Sequence, residues 1–212
     1  RIGNPHTDYN AYLSPMLVPG VMFLFIFIFT AYSIGCELKY ERSHEWLKMA
    51  GGNIWVALMG KMLPQMLLSM LMMSAYLIYI YGVMGFPHEG SWMVILLLGF
   101  LSVLAAEGFG IFMFSLLPSM RMSMSLCSLW AVLSFSMVGT AFPVMAMDPA
   151  LETLAWLFPL RHYFVIYQTS IFSGYSLTYC WVNIACLIAF ALLPLPLMGR
   201  LKKVMMTFKY MD

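Results

Sequence analysis

Charge is what this chain has least of. Only 9% of its 212 residues are Asp, Glu, Lys or Arg and 62% are hydrophobic, against about 25% charged in a soluble domain. One soluble core of this size cannot hide so much apolar surface, which excludes an ordinary globular domain and puts the chain in a bilayer. The net charge of +2 is too small to point to nucleic acid. Cysteine is also scarce: Cys36, Cys127, Cys180 and Cys186 have no C-x-x-C spacing and lie in or beside apolar runs, where cysteine acts as a small hydrophobe. Cys180 and Cys186 would fall on different faces of one helix, which argues against a disulfide between them. His6, His44, His88 and His162 belong to separate connections on both sides of the membrane, and no H-E-x-x-H or paired-carboxylate pattern exists, so no metal site is expected.

Nucleotide and nucleophile motifs are missing as well. Gly60-Lys61 looks like the end of a phosphate-binding loop, but that pattern needs Gly where Trp55 stands and Ser or Thr where Met62 stands. Gly174-Tyr175-Ser176 lacks the closing glycine of a nucleophile elbow. No cofactor is expected in this chain. The chain begins at Arg1 with neither Met nor a signal sequence.

What is present is a set of long apolar runs. A helix rising about 1.5 Å per residue needs about 20 residues to cross about 30 Å of hydrocarbon. Five segments meet that length: 17–36, 62–83, 92–117, 122–142 and 177–199. Lipid forces backbone groups to pair within the segment, and the alternation of a barrel strand is absent, so the expected fold is an all-α membrane protein forming one transmembrane domain over 1–212. Lys39, Arg42, Lys48, Lys61, Arg121, Arg200, Lys202, Lys203 and Lys209 fall on one side, and only Arg1 and Arg161 fall elsewhere. The positive-inside rule makes that side, and the C-terminus, cytoplasmic. Five spans then leave the N-terminus outside, which predicts a missing front with one more span.

The connection from Pro143 to Ser176 is too short for a domain and too apolar for a simple loop. Asp148-Pro149 reads as an N-cap with proline at the first helical position, and Pro159 separates a short helix over 149–158 from a second that reaches about 172 and stops at Gly174. Both are too short to span, so interfacial or re-entrant helices are expected over about 149–172 on the external side.

The charge that exists is concentrated. Glu37, Lys39, Glu41, Arg42, Glu45 and Lys48 follow directly on the uncharged run Met16 to Cys36. Read as one helix over about 37–50, the block places Glu37, Glu41 and Glu45 on one face and Leu38, Arg42 and Trp46 on a neighbouring one. An acidic stripe suits a basic groove on another protein, although a solvated loop is the plainer reading of charge beside a membrane. Gly51-Gly52-Asn53 breaks the helix.

The order of these features resembles the permease subunits of bacterial type-2 ABC exporters, in the subgroup with a large external insert after the first span. The residues that carry the resemblance are Glu41-Arg42-Ser43-His44-Glu45-Trp46-Leu47, then Gly60-Lys61 and Pro64, then Phe142-Pro143, then Pro159-Leu160-Arg161 with Tyr163, and Gly174. Asn4-Pro5, Tyr9 and Pro19-Gly20 resemble the end of the insert and the start of the second span. Ser43-His44 departs from the Gly-Thr that often follows the acidic-basic pair. The resemblance implies that the five spans are the second to sixth of a six-span permease. It implies that Glu41, Arg42, Glu45, Trp46 and Leu47 belong to a coupling helix against a separate ATPase that binds ATP and magnesium. It also implies that Phe142, Pro143, Pro159 and Arg161 belong to an outer gate, and that the subunit pairs with a second copy or a paralogue in the inner membrane.

Glu107 is the one acid inside a span. It could face a translocation cavity or be hydrogen-bonded between packed helices, and Gly108 and Gly110 beside it permit close approach. The 22 methionines, Met70, Met72, Met73, Met120, Met122 and Met124 among them, could line a plastic pathway or merely fill gaps. An export permease is the leading reading. A secondary transporter using Glu107 as a proton or ion site, or less favoured a membrane enzyme acting on lipid, are the alternatives; the first of these should show unwound spans.

Overall fold

The computed structural model describes residues 9–139 and 148–207. Asn4-Pro5, Phe142-Pro143 and the end of the 122–142 span lie outside them. Nine α-helices and no strand occur among the described residues. Four elements are long and apolar enough to cross a membrane: Leu13–Lys39, Ile54–Val83, Trp92–Leu116 and Leu177–Thr207.

Helix α1 (Tyr9–Lys39) starts earlier than the 17–36 run and passes through Pro15 and Pro19. Helix α3 (Ile54–Ile78), continued by a π-turn Tyr79–Val83, starts at Asn53, whose Oδ1 accepts the Trp55 amide at 3.0 Å. The span therefore begins eight residues before Met62, because an N-cap and not proline sets its start; Pro64 sits inside it. Helix α4 (Trp92–Leu116) is capped by Ser91 and is the most buried of the four spans.

Helix α5 (Met120–Met137) has 18 residues, about 27 Å at the usual rise, and carries five serines. It falls short of the other four in length or apolarity, and it lies antiparallel to α1. Glycines make that contact close: a Cβ at Gly35 would meet Met120 at 2.8 Å, and one at Gly20 would meet the Phe135 ring at 2.5 Å.

Helix α6 (Pro149–Ala155) is capped by Asp148, whose Oδ1 accepts the Ala150 amide at 3.0 Å. Helix α7 (Pro159–Ile166) runs into a π-turn Tyr167–Phe172 and ends at Gly174, φ +71°. This pair matches the expected proline-separated helices. Leu160, His162, Tyr163, Phe164 and Ile166 of α7 are buried, so α7 enters the bundle and does not lie on its surface.

The last span is not one helix. A 3-10 turn Leu177–Cys180 leads into α8 (Trp181–Leu192), a second 3-10 turn Leu195–Leu197 follows, and α9 (Met198–Thr207) completes it. Pro194 and Pro196 cause the break, since their missing amides cannot bond the carbonyls of Phe190 and Leu192. Cys127 and Cys180 are buried and all four cysteines are free.

Candidate functional site

The charge block is not one helix over 37–50. Helix α1 ends at Lys39, Glu41 stands at φ +55°, and α2 (Ser43–Met49) is a separate seven-residue helix. The Arg42 amide bonds the Glu37 carbonyl at 2.9 Å and the Glu41 amide bonds that of Leu38 at 3.3 Å, the paired bonds of a Schellman end with Glu41 in the left-handed position. The same pattern closes α2, where the Gly52 amide reaches Leu47 at 2.8 Å and that of Gly51 reaches Lys48 at 3.1 Å. The expected stripe of Glu37, Glu41 and Glu45 is thereby broken up: Glu37 belongs to the span, Glu41 to the turn and Glu45 to α2. Sequence carries no marker for the first break, because a left-handed cap is ordinarily glycine.

The surroundings of α2 are divided into an anchored and a presented side. Leu47 is buried in one apolar cluster with Ile34, Leu38, Ile54, Leu58, Phe114 and Leu201. Ser43 is buried and its Oγ donates to the Met205 carbonyl of α9 at 2.8 Å. Lys61 of α3 forms an ion pair with Glu37, the one ion pair among the described residues, and its Nζ lies 5.6 Å from the Trp46 ring centroid. On the other side Glu41, Arg42, His44, Glu45, Lys48 and Met49 are exposed. The Arg42 guanidinium lies 5.3 Å and the Lys39 ammonium 6.0 Å from the ring centroid of exposed Tyr40. Glu41 and Glu45 are thus held open on a short helix whose back is built into the core. Ser43 and Lys61 were not among the predicted site residues; Lys61 had its Gly-Lys context as a signal, and Ser43 only its place in the Ser43-His44 departure.

At the opposite end of the bundle polar groups turn inward. Pro159 is buried and opens α7. The Arg161 guanidinium donates to the Val138 carbonyl at 3.4 Å, and burial pushes its pKa down while Glu152 opposes that shift. Tyr163 donates to the Pro15 carbonyl at 3.1 Å across the core. His162 is fully buried: Nε2 donates to the Trp156 carbonyl at 2.9 Å, and Nδ1 lies 2.9 Å from Asn183 Oδ1 of α8. The amides of Glu89 and Gly90 both bond the Ile171 carbonyl, at 2.9 and 3.1 Å, joining the α3–α4 connection to the π-turn. His162 and Asn183 escaped the sequence reading because a histidine in an apolar run looks like any loop histidine.

Within the bundle Glu107 is 5% exposed and its Oε1 has no hydrogen-bond partner among the described residues. The expected close approach is present on both sides of it. A Cβ at Gly108 would lie 2.6 Å from the carbonyl oxygens of Phe190 and Ala191, and one at Gly110 would lie 2.8 Å from Thr30. Glu107 lines a cavity of about 190 Å³ between α3, α4 and the α8 break. A larger groove of about 620 Å³ opens between α1 and α3, lined by Phe25, Phe29 and Tyr32 on one wall and Gln65, Ser69 and Met72 on the other; Gln65 donates to buried Thr30 at 2.8 Å. Of the methionines singled out by sequence, Met72 reaches the groove and Met73 is core, whereas the Glu107 cavity takes Met59, Met62, Met66 and Met198.

Long apolar helices, an anchored charge-bearing connection and a short helix buried at the other end define a helical membrane protein. A model of the family described as ABC-2 family transporter protein matches residues 2–199, and the chain belongs to that family. It is 22% identical over 180 residues to a probable multidrug ABC transporter permease, YbhR, of Escherichia coli strain K12, and equally to its counterpart in Escherichia coli O157:H7. The alignment covers 84% of this chain and 48% of each relative, so the chain spans about half the length of the curated relatives it matches. No solved structure matches.

Proposed function

We propose that this protein is the permease subunit of an ATP-driven exporter and that α2, with the Glu41 turn before it, docks onto a separate ABC ATPase subunit. The observation that carries the reading is the division of α2 and its preceding turn into a buried back, Leu47 and Ser43, and an open front, Glu41 and Glu45. A solvated loop would need no such anchorage. The basic residues that flank this end support its assignment to the cytoplasmic side, with the inner membrane as the proposed location. ATP and magnesium belong to the ATPase, and α6 and α7, with Phe142, Pro143, Pro159 and Arg161, form the outer gate. A second permease copy or a paralogue completes the pathway, with access alternating by rigid-body movement.

One observation favours a secondary transporter: the broken span at Pro194 lies beside Glu107, as an ion-coupled site would require. Membership of the ABC-2 family weighs against it, and the two readings separate on the partner. Co-expression with an ABC ATPase subunit from the same genome should give a co-purifying complex. Glu45→Lys, which breaks no intramolecular ion pair among the described residues, should weaken that complex by about tenfold or more through like-for-opposite charge at the interface. Unchanged co-purification and unchanged stimulation of ATP hydrolysis in both Glu45→Lys and Glu41→Lys would overturn the docking role.

A further inference from the structure

The cavity beside Glu107 has a composition that selects its occupant. Glu107 is the one ionisable residue in its lining, and no Lys, Arg or His reaches it. A buried carboxyl without a counter-charge is costly at membrane depth, and such groups face pathways or partners when they persist. Its Oε1 is left without any hydrogen-bond partner among the described residues. Helix α8 ends at Leu192 beside it and directs the negative end of its dipole to the same place. Pro194, on the cavity wall, and Pro196 after it lack the amides that would continue the helix, and the Phe190 carbonyl takes the Leu193 amide at 3.3 Å instead. One corner of the chamber therefore combines a single acid with the negative end of a helix dipole.

The rest of the chamber is the opposite. Met59, Met62, Met66 and Met198 supply four thioether chains, and Trp55 supplies an aromatic face. Trp55 and Met59 are 42% and 62% exposed while they line the cavity, so they stand at its rim, and Met62 and Met198 are buried at its wall. Methionine adapts to irregular apolar shapes, and indole attracts a cation over its face.

Three classes of ligand fail this lining. An anion would meet the carboxylate and the helix C-terminus. A neutral hydrocarbon would leave the acid unsatisfied. A bare sodium or calcium ion needs several oxygen ligands to replace its water, and the lining offers one carboxylate, since the Phe190 and Ala191 carbonyls are pressed against Gly108. We infer that the chamber between α3, α4 and the α8 break binds a compact lipophilic amine, its ammonium on Glu107 and its hydrocarbon body against Trp55 and the methionines. This site names the cargo class of the proposed exporter and rests on that reading for its role in transport, but binding itself needs no ATPase.

The test uses the protein in nanodiscs of phosphatidylcholine and phosphatidylglycerol, without ATPase or nucleotide. Two probes of nearly equal shape are compared by equilibrium dialysis, 1-adamantylamine and the neutral 1-adamantanol, with empty nanodiscs subtracted. The amine should bind saturably and at least about tenfold more tightly than the alcohol. Glu107→Gln should bring the two within about threefold of each other, and Met62→Trp, which fills the chamber, should weaken both. Amine-induced tryptophan quenching should vanish in Trp55→Phe, a change at an exposed rim position that keeps the comparison available should Glu107→Gln fail to fold. Equal binding of amine and alcohol to the unaltered protein would overturn the inference. So would a preference that survives Glu107→Gln, or displacement of the amine by sodium chloride but not by N-methylglucamine chloride. Loss of ATPase co-purification in Glu45→Lys leaves these results untouched, so the cargo inference and the docking proposal fail separately.

Discussion

The two ends of the bundle treat polarity in opposite ways. Around α2 the apolar and hydroxyl groups point in while Glu41, Arg42 and Glu45 point out. Around α7 the polar groups point in, with Tyr163 on Pro15, His162 between Trp156 and Asn183, and Arg161 on Val138. The first end leaves its charge exposed; the second pairs its polar groups within the chain. Buried networks lend uniqueness to a structure and exposed charge lends recognition, so substitutions should act on stability at one end and on association at the other.

The sharpest way to break that contrast is Tyr163→Ala. It removes a fully buried ring that packs against Phe23 and donates to Pro15, and should cost roughly 3 kcal/mol, read as a lower thermal melting point in detergent. Gly108→Ala comes next, at about 1–3 kcal/mol, because its Cβ would press on backbone carbonyls that cannot swing aside; the same melting assay reads it. At the charged end Lys61→Met should cost about 1 kcal/mol by unpairing half-buried Glu37, and a double-mutant cycle with Glu37→Gln should recover most of that loss. The smallest change is the most informative. Glu41→Gly relieves a left-handed residue and should raise stability by about 0.5–1 kcal/mol, while ATPase co-purification falls. A stability gain with undiminished co-purification would show that the carboxylate serves neither purpose.

Much of the outline was legible from residue pattern. Helix α4 runs Trp92–Leu116 where the apolar run 92–117 predicts it, and the Asp148-Pro149 and Pro159 signals locate α6 and α7. These succeed because capping and proline act within a few residues. The breaks were harder. The turn at Glu41 uses a residue that sequence rules assign to helix, and the interruption at Pro194 sits in a run apolar enough to read as continuous. The inward network around His162 depends on Asn183, 21 residues away, and no local pattern reports such a pairing. For the site, Trp46 and Leu47 lie on a seven-residue helix and not on the expected single helix over 37–50, and Ser43 and Lys61, which pin it, act through contacts that join α2 to α9 and α3 to α1 and α2.

The break at Pro194 has a mechanical meaning. It frees α9 from the axis of α8, and α9 then grips α2 through the Ser43–Met205 hydrogen bond and the apolar seat of Leu201 and Met205 around Leu47. A load applied to α2 would therefore be shared with α9, which adjoins the Pro194 break on one wall of the Glu107 chamber. In this geometry α2 and the Glu107 chamber are separated by a single short helix, α9, so a push on the one would reach the other within ten residues.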